Sequence, residues 1–176
     1  MKDNIIRKIY RPRRIKAVQD QLDMLGDRAK MNAITFYNFR YLTTIIVFLI
    51  VLYNTELGYV TAPMAMLIYY YLFYYVFITR PKKERIRTLD HDALYFFEIL
   101  TLTLESGRNL ENSLEITVMN VDSELSREFK KALIEVKFGK SLLEALEDMK
   151  KRIPSETVNN IILNITQTNV FGNSIL

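Results

Sequence analysis

The sequence predicts an all-α protein in two parts, a two-pass transmembrane helical hairpin followed by a cytoplasmic antiparallel helix bundle. Three observations predict it. Five Gly and four Pro in 176 residues leave too few turn formers for a strand-rich fold. Leu57 to Thr79 (LGYVTAPMAMLIYYYLFYYVFIT) is 23 residues without a charge, and a helix needs about 20 such residues to cross a hydrocarbon core of ~30 Å. From residue 88 onward, apolar side chains recur about every 3.6 residues, the period of amphipathic helices.

Charge is segregated along the chain. Residues 1–40 carry ten Lys/Arg against four acids, 41–79 only Glu56, 80–87 five bases against one acid, and 88–176 nine bases against fourteen acids. The net charge of +4 therefore hides an acidic C-terminal half. The bases bracket an apolar stretch instead of covering a folded face, which points to membrane lipids and away from nucleic acid. With no Cys and a single His, disulfide scaffolds, thiol catalysis and cysteine- or histidine-rich metal sites are excluded.

Residues 1–35 read as a basic cytoplasmic arm. Ile5, Ile6, Ile9 and Tyr10 share one side of a helical pattern among Arg7, Lys8, Arg11, Arg13 and Arg14, either a lipid-surface turn or a solvated basic tail. After Pro12, Ile15, Val18, Leu22 and Leu25 predict a short helix stopped by Gly26. The hairpin occupies 36–79, with helices over about 37–55 and 57–79. Its first helix needs Phe36 to Phe39 and a snorkelling Arg40 to reach spanning length; a buried or re-entrant helix is the alternative. Lys and Arg flank both outer ends and are absent from the Asn54–Gly58 turn, so both termini are predicted in the cytoplasm, and the late apolar segment is no cleaved signal peptide. Tyr74 and Tyr75 suit the cytoplasmic aromatic belt, whereas Tyr69 to Tyr71 lie nearer mid-span and face either another helix or lipid. Residues 80–87 read as a basic juxtamembrane linker.

Residues 88–176 contain a repeat. Gly107-Arg-Asn-Leu-Glu-Asn-Ser-Leu, Gly139-Lys-Ser-Leu-Leu-Glu-Ala-Leu and Gly172-Asn-Ser-Ile-Leu succeed one another at spacings of 32 and 33 residues. Each Gly predicts a left-handed corner closing one helix, and the residue two later (Asn109, Ser141, Ser174) an N-cap opening the next. Ser141 with Glu144 completes a capping box. Five amphipathic helices result, broken also at Val121–Ser123 and Pro154-Ser155. Leu94 to Leu104 is apolar on most sides and is predicted to be the central helix. Its polar edge includes Glu98 and Glu105, seven apart on one face, a candidate partner or polar contact weighed against a solvated edge. Asp90-His91-Asp92 reads as acids at a helix start, with Thr88 or Asp90 as cap. The helix announced by Gly172-Asn-Ser is absent from the sequence, so the chain is expected to be truncated or completed by a partner.

The runs GRNLENSLE and FGKSLLEALEDMKKRIPSETVNNIILNITQTNVFGNSIL resemble the type II secretion system F domain over roughly residues 85–176. The order of short helix, hairpin and single domain is similar to the Tad-type (tight adherence) platform proteins of that family. Three departures accompany the resemblance: His91-Asp92 stands where a Pro-Asp step is common, Ser113 replaces the usual Ala, and the closing helix with its C-terminal span is missing. The resemblance implies a non-enzymatic platform in the cytoplasmic membrane, without cofactor, that couples a cytoplasmic ATPase to pilin-like subunits and associates with other platform subunits. No phosphate-binding Gly-rich loop, nucleophile elbow or metal-ligand spacing is present in the sequence. The alternative is a membrane-anchored helical repeat adaptor, suggested by the repeat length alone.

Overall fold

The structure, a computed structural model, describes residues 12–29 and 31–172, which form helices and the short segments joining them, with no strand among the described residues. The arm from Ile5 to Tyr10 and Ser174 lie outside the described residues. The chain divides into two compact units, Met1–Lys83 and Glu84–Leu176.

In the first unit α1 (Pro12–Asp23) ends ahead of Gly26, whose φ of 57° is open to glycine at little cost. Val18, Leu22 and Leu25 are buried against Ala33, Phe36, Phe73 and Ile78. Gln19 Oε1 accepts from the Ala33 N–H at 3.0 Å, so a side chain of α1 satisfies a free donor at the start of α2 (Ala33–Asn54). After Thr55–Leu57 the chain turns back into α3 (Gly58–Tyr74), which packs along α2. A Cβ at Gly58 would stand 2.6 Å from the Leu52 carbonyl oxygen, so glycine alone lets the two helices close at this turn. By length and composition, α2 and an apolar stretch within Gly58–Glu105 are each able to cross a membrane.

Two expectations change here. Arg40 does not snorkel outward. It is 5% exposed, donates from Nη2 to the Tyr70 carbonyl at 2.9 Å, and lies with Cζ 3.4 Å from the centre of the Tyr70 ring. A carbonyl and an aromatic face on α3 replace the water that the guanidinium would otherwise seek. The second expected helix also changes character: α3 gives way to a π turn at Tyr75–Thr79, and α4 (Arg80–Glu105) continues from it without a break. Residues 80–87 are thus helical. Pro81 has no N–H to return and its ring crowds the carbonyl of Phe77, which the wider π register accommodates; the Lys, Glu and Arg around it are good helix formers.

The second unit contains α4 from Glu84 on, α5 (Leu110–Asn120), α6 (Glu124–Lys137), α7 (Leu142–Arg152) and α8 (Glu156–Gly172). On α4 the buried stripe is Arg85, Leu89, Ala93, Phe96 and Leu100, three or four residues apart. It meets Leu114, Leu125, Phe129, Leu146, Met149 and Ile162 in one core, where the Phe96 and Phe129 rings stack at 4.6 Å. Contrary to the expected central helix, α4 keeps one face open: Leu94, Tyr95 and Leu102 are exposed. The reason is that the helices after it cover only one stripe. Nor does a helix start at Asp90-His91-Asp92, because the helical ladder already runs from Arg80. Asp90 instead accepts from the Ser155 hydroxyl at 2.5 Å, and Asp92 from the Glu124 N–H at 3.1 Å, so these acids serve the first turns of α8 and α6.

Candidate functional site

The corners that orient the helices of the second unit are built from backbone conformation and capping. Gly107 has φ +82° and Gly139 φ +98°. After Gly107, Asn109 accepts from the Asn112 N–H at 2.9 Å and caps α5. At Gly139 the N–H groups of Gly139 and Lys140 return to the carbonyls of Val136 (2.8 Å) and Glu135 (3.2 Å), the double closure of a Schellman motif. Ser141 and Glu144 then form a reciprocal capping box at the start of α7. Gly172 is the last residue of α8, and residues 173–176 lie outside the described residues. Nothing lies within 4 Å of a Cβ built on Gly139, so Gly139→Ala tests backbone conformation alone. It is expected to lower stability by about 1–2 kcal/mol, the cost of a left-handed non-glycine residue, read from the denaturant midpoint.

A charged cluster that sequence reasoning missed lies at the start of α6 and the end of α7, the helix ends opposite the Gly139 corner. Arg85 is fully buried. Its Nε donates to Glu124 Oε1 at 2.7 Å, its Nη2 to Glu128 Oε1 at 3.0 Å, and its Nη1 to the Arg152 carbonyl at 3.1 Å. One side chain of α4 therefore holds the start of α6 and the end of α7. Glu128 also meets Lys131 at 3.1 Å, and Arg152 reaches Glu135 at 3.1 Å. A planar guanidinium suits this work, since its forked donors engage two carboxylates and a carbonyl at once. The signal that would have found Arg85 is its place one turn ahead of Leu89 on the apolar stripe; its neighbours in a basic run conceal it.

A second charged group ties α6 to α7 at the Gly139 corner. Lys140 Nζ donates to Glu135 at 2.6 Å and to Asp148 at 2.5 Å, while Lys151 reaches Asp148 at 2.6 Å. The hydrogen bonds from Lys140 and then Lys151 hold the Asp148 carboxyl at about 2. Lys140 likewise lowers Glu135, the Ser141 hydroxyl and N–H lower Glu144, and the Asp148 and Glu135 carboxylates raise Lys140. Carboxyls depressed by folding contribute stability that is complete above their unfolded values of ~4 and is lost as pH falls through the folded ones. Raised Lys140 contributes below its unfolded value of ~10.4 and loses that contribution as pH rises through the folded one. The thermal midpoint is expected to fall as the pH drops from about 4 to 2, and Lys140→Met is expected to flatten that fall, monitored by circular dichroism against pH.

Two other sequence candidates fall on the surface. Glu98 and Glu105 are both exposed, on the open face of α4 with Leu94, Tyr95 and Leu102. Of the tyrosines expected near mid-span, Tyr70 covers Arg40, Tyr69 packs beside Phe73, and Tyr71 is exposed. Among the described residues no three His, Asp or Glu side chains stand together as a metal-holding group. The arrangement is suited to holding helices in fixed relation and presenting faces to partners.

Residues 96–174, somewhat under half of the chain, match the family described as "Type II secretion system (T2SS), protein F". The match takes in α5, α6, α7 and α8 whole, with part of α4, and so contains the Gly107 and Gly139 corners. No curated protein and no solved structure matches the chain.

Proposed function

From the likeness of residues 96–174 to protein F of the type II secretion system, we propose that this chain is a cytoplasmic-membrane platform component of a secretion or pilus-assembly machine. In this reading α2 and α3 form a transmembrane hairpin with both chain ends in the cytoplasm, and the second unit is a cytoplasmic bundle. The bundle engages a motor ATPase and passes its movement to pilin-like subunits in the bilayer, as in a Tad-type system, and the chain itself performs no catalysis. The observation that carries the proposal is the family match in a chain that also holds two stretches able to cross a membrane. The Lys/Arg bias on the outer flanks of the apolar region supports the orientation.

The test is co-purification of the full chain from detergent extracts of its own cells. An ATPase with a phosphate-binding Gly-rich loop is expected to be retained, together with small apolar-headed subunits. Repeated purification without any ATPase overturns the reading and favours an anchored adaptor. Protease added to the outside of intact cells is expected to leave the second unit whole; its digestion overturns the orientation.

A further inference from the structure

The second unit exposes two surfaces of opposite character. On α4, Leu94 (79% exposed), Tyr95 and Leu102 form an apolar ridge, and Glu98 and Glu105 stand on the same face. Seven residues separate the two carboxylates, about 10.5 Å along a helix. Between α5 and α6 runs a groove of about 320 Å³, floored by buried Leu133, flanked by Met119 (79% exposed) and Ile134, and rimmed by Lys130, Lys137 and Glu115. Lys130 and Lys137 are also seven residues apart on one helix. Lys137 meets Glu115 at 3.0 Å, yet its side chain is 66% exposed and an ammonium has three donors. The rim keeps a net positive charge.

We propose that this groove receives the α4 ridge of a second copy of this chain. The ridge brings two carboxylates at the spacing at which the groove presents two ammonium groups, and each surface would remove the other's exposed apolar side chains from water. Ridge and groove are different surfaces of one domain, so every copy offers both. The contact then pairs reciprocally about a two-fold axis, closes into a ring, or extends as an open chain of copies where the rotation does not close. Self-association of this kind is independent of the secretion reading, since it requires neither an ATPase nor a pilin-like subunit.

Sedimentation of the full chain in detergent micelles over a range of concentrations tests it. Wild type is expected to self-associate. Reversing the ridge (Glu98→Lys with Glu105→Lys) or the groove (Lys130→Glu with Lys137→Glu) is expected to raise the dissociation constant roughly tenfold or more, because like charges then face each other. Combining all four reversals is expected to restore association to within about threefold of wild type. Met119→Asp, a single change at an exposed position, gives an independent reading of the groove and is expected to weaken association without changing helicity. The proposal is overturned if wild type stays monomeric, if either reversed set or Met119→Asp associates like wild type, or if the fourfold variant stays as weak as the two sets alone. Retention of association in the reversed sets would assign self-association to another surface, such as the apolar helices of the first unit.

Discussion

Arg85→Ala is expected to destabilise the second unit by about 3–5 kcal/mol, the range for removing one partner from a buried ion pair. The loss comes less from the attraction removed than from what stays behind. Glu128 is 4% exposed, and without the guanidinium its carboxylate is left with Lys131 at 3.1 Å and the more distant Arg152 at 3.8 Å among the described residues. The Arg152 carbonyl at the end of α7 also loses a donor. The measurement is chemical unfolding of the full chain in detergent, monitored by circular dichroism. A companion variant separates charge burial from helix attachment: Arg85→Met with Glu124→Gln and Glu128→Gln removes the buried charges together, and most of the loss is expected to return. A loss below about 1 kcal/mol for Arg85→Ala would mean that water reaches the pocket freely and that the cluster is not what holds α4 to α6 and α7.

Phe129→Ala is the second large effect, expected at about 3–5 kcal/mol for a buried phenylalanine. Phe129 is 2% exposed, its ring lies 4.6 Å from that of Phe96 at an interplanar angle of 9°, and Phe97 meets it edge-on at 6.1 Å. The void beside it among Leu100, Leu114, Leu146 and Ile162 is only about 10 Å³, so deletion of the ring creates new space in a core that is already tight. The same unfolding measurement reads it. Phe129→Leu keeps most of the volume and is expected to cost about 1.5 kcal/mol or less, mainly from the lost ring stacking. Equal losses for the two variants would contradict the packing account. Both substitutions act on the attachment of α4 to α6 within the core of the second unit.

Much of this molecule is written in local signals. The Gly107 and Gly139 corners need only a residue without a Cβ and, two positions later, an oxygen-bearing side chain, and both features lie within a few residues of each other. The helical content and the apolar stripes on α5 to α8 are equally local, because a 3.6-residue period is readable wherever it occurs. Glu98 and Glu105 could be placed on one face for the same reason, and the structure adds that this face is open and also carries Leu94, Tyr95 and Leu102.

Arg85 and Arg40 depart from the sequence expectation for a common reason. Each sits in a run whose composition suggests an interfacial base, and each is instead claimed by groups distant along the chain: Glu124 and Glu128 for Arg85, Tyr70 for Arg40. The Asp90 and Asp92 carboxylates likewise serve the starts of α8 and α6 in place of a helix start of their own. The sequence by itself determined the helical class, the two membrane-length apolar stretches, the segregation of charge and the helix breaks from Gly107 onward. Only the tertiary structure decided which charges are buried, that α4 runs unbroken through the basic segment, and which of its faces stays open. Helix formation depends on neighbours in the chain, whereas the partner of a buried charge depends on which helix faces come together, and that is known only once the core has packed.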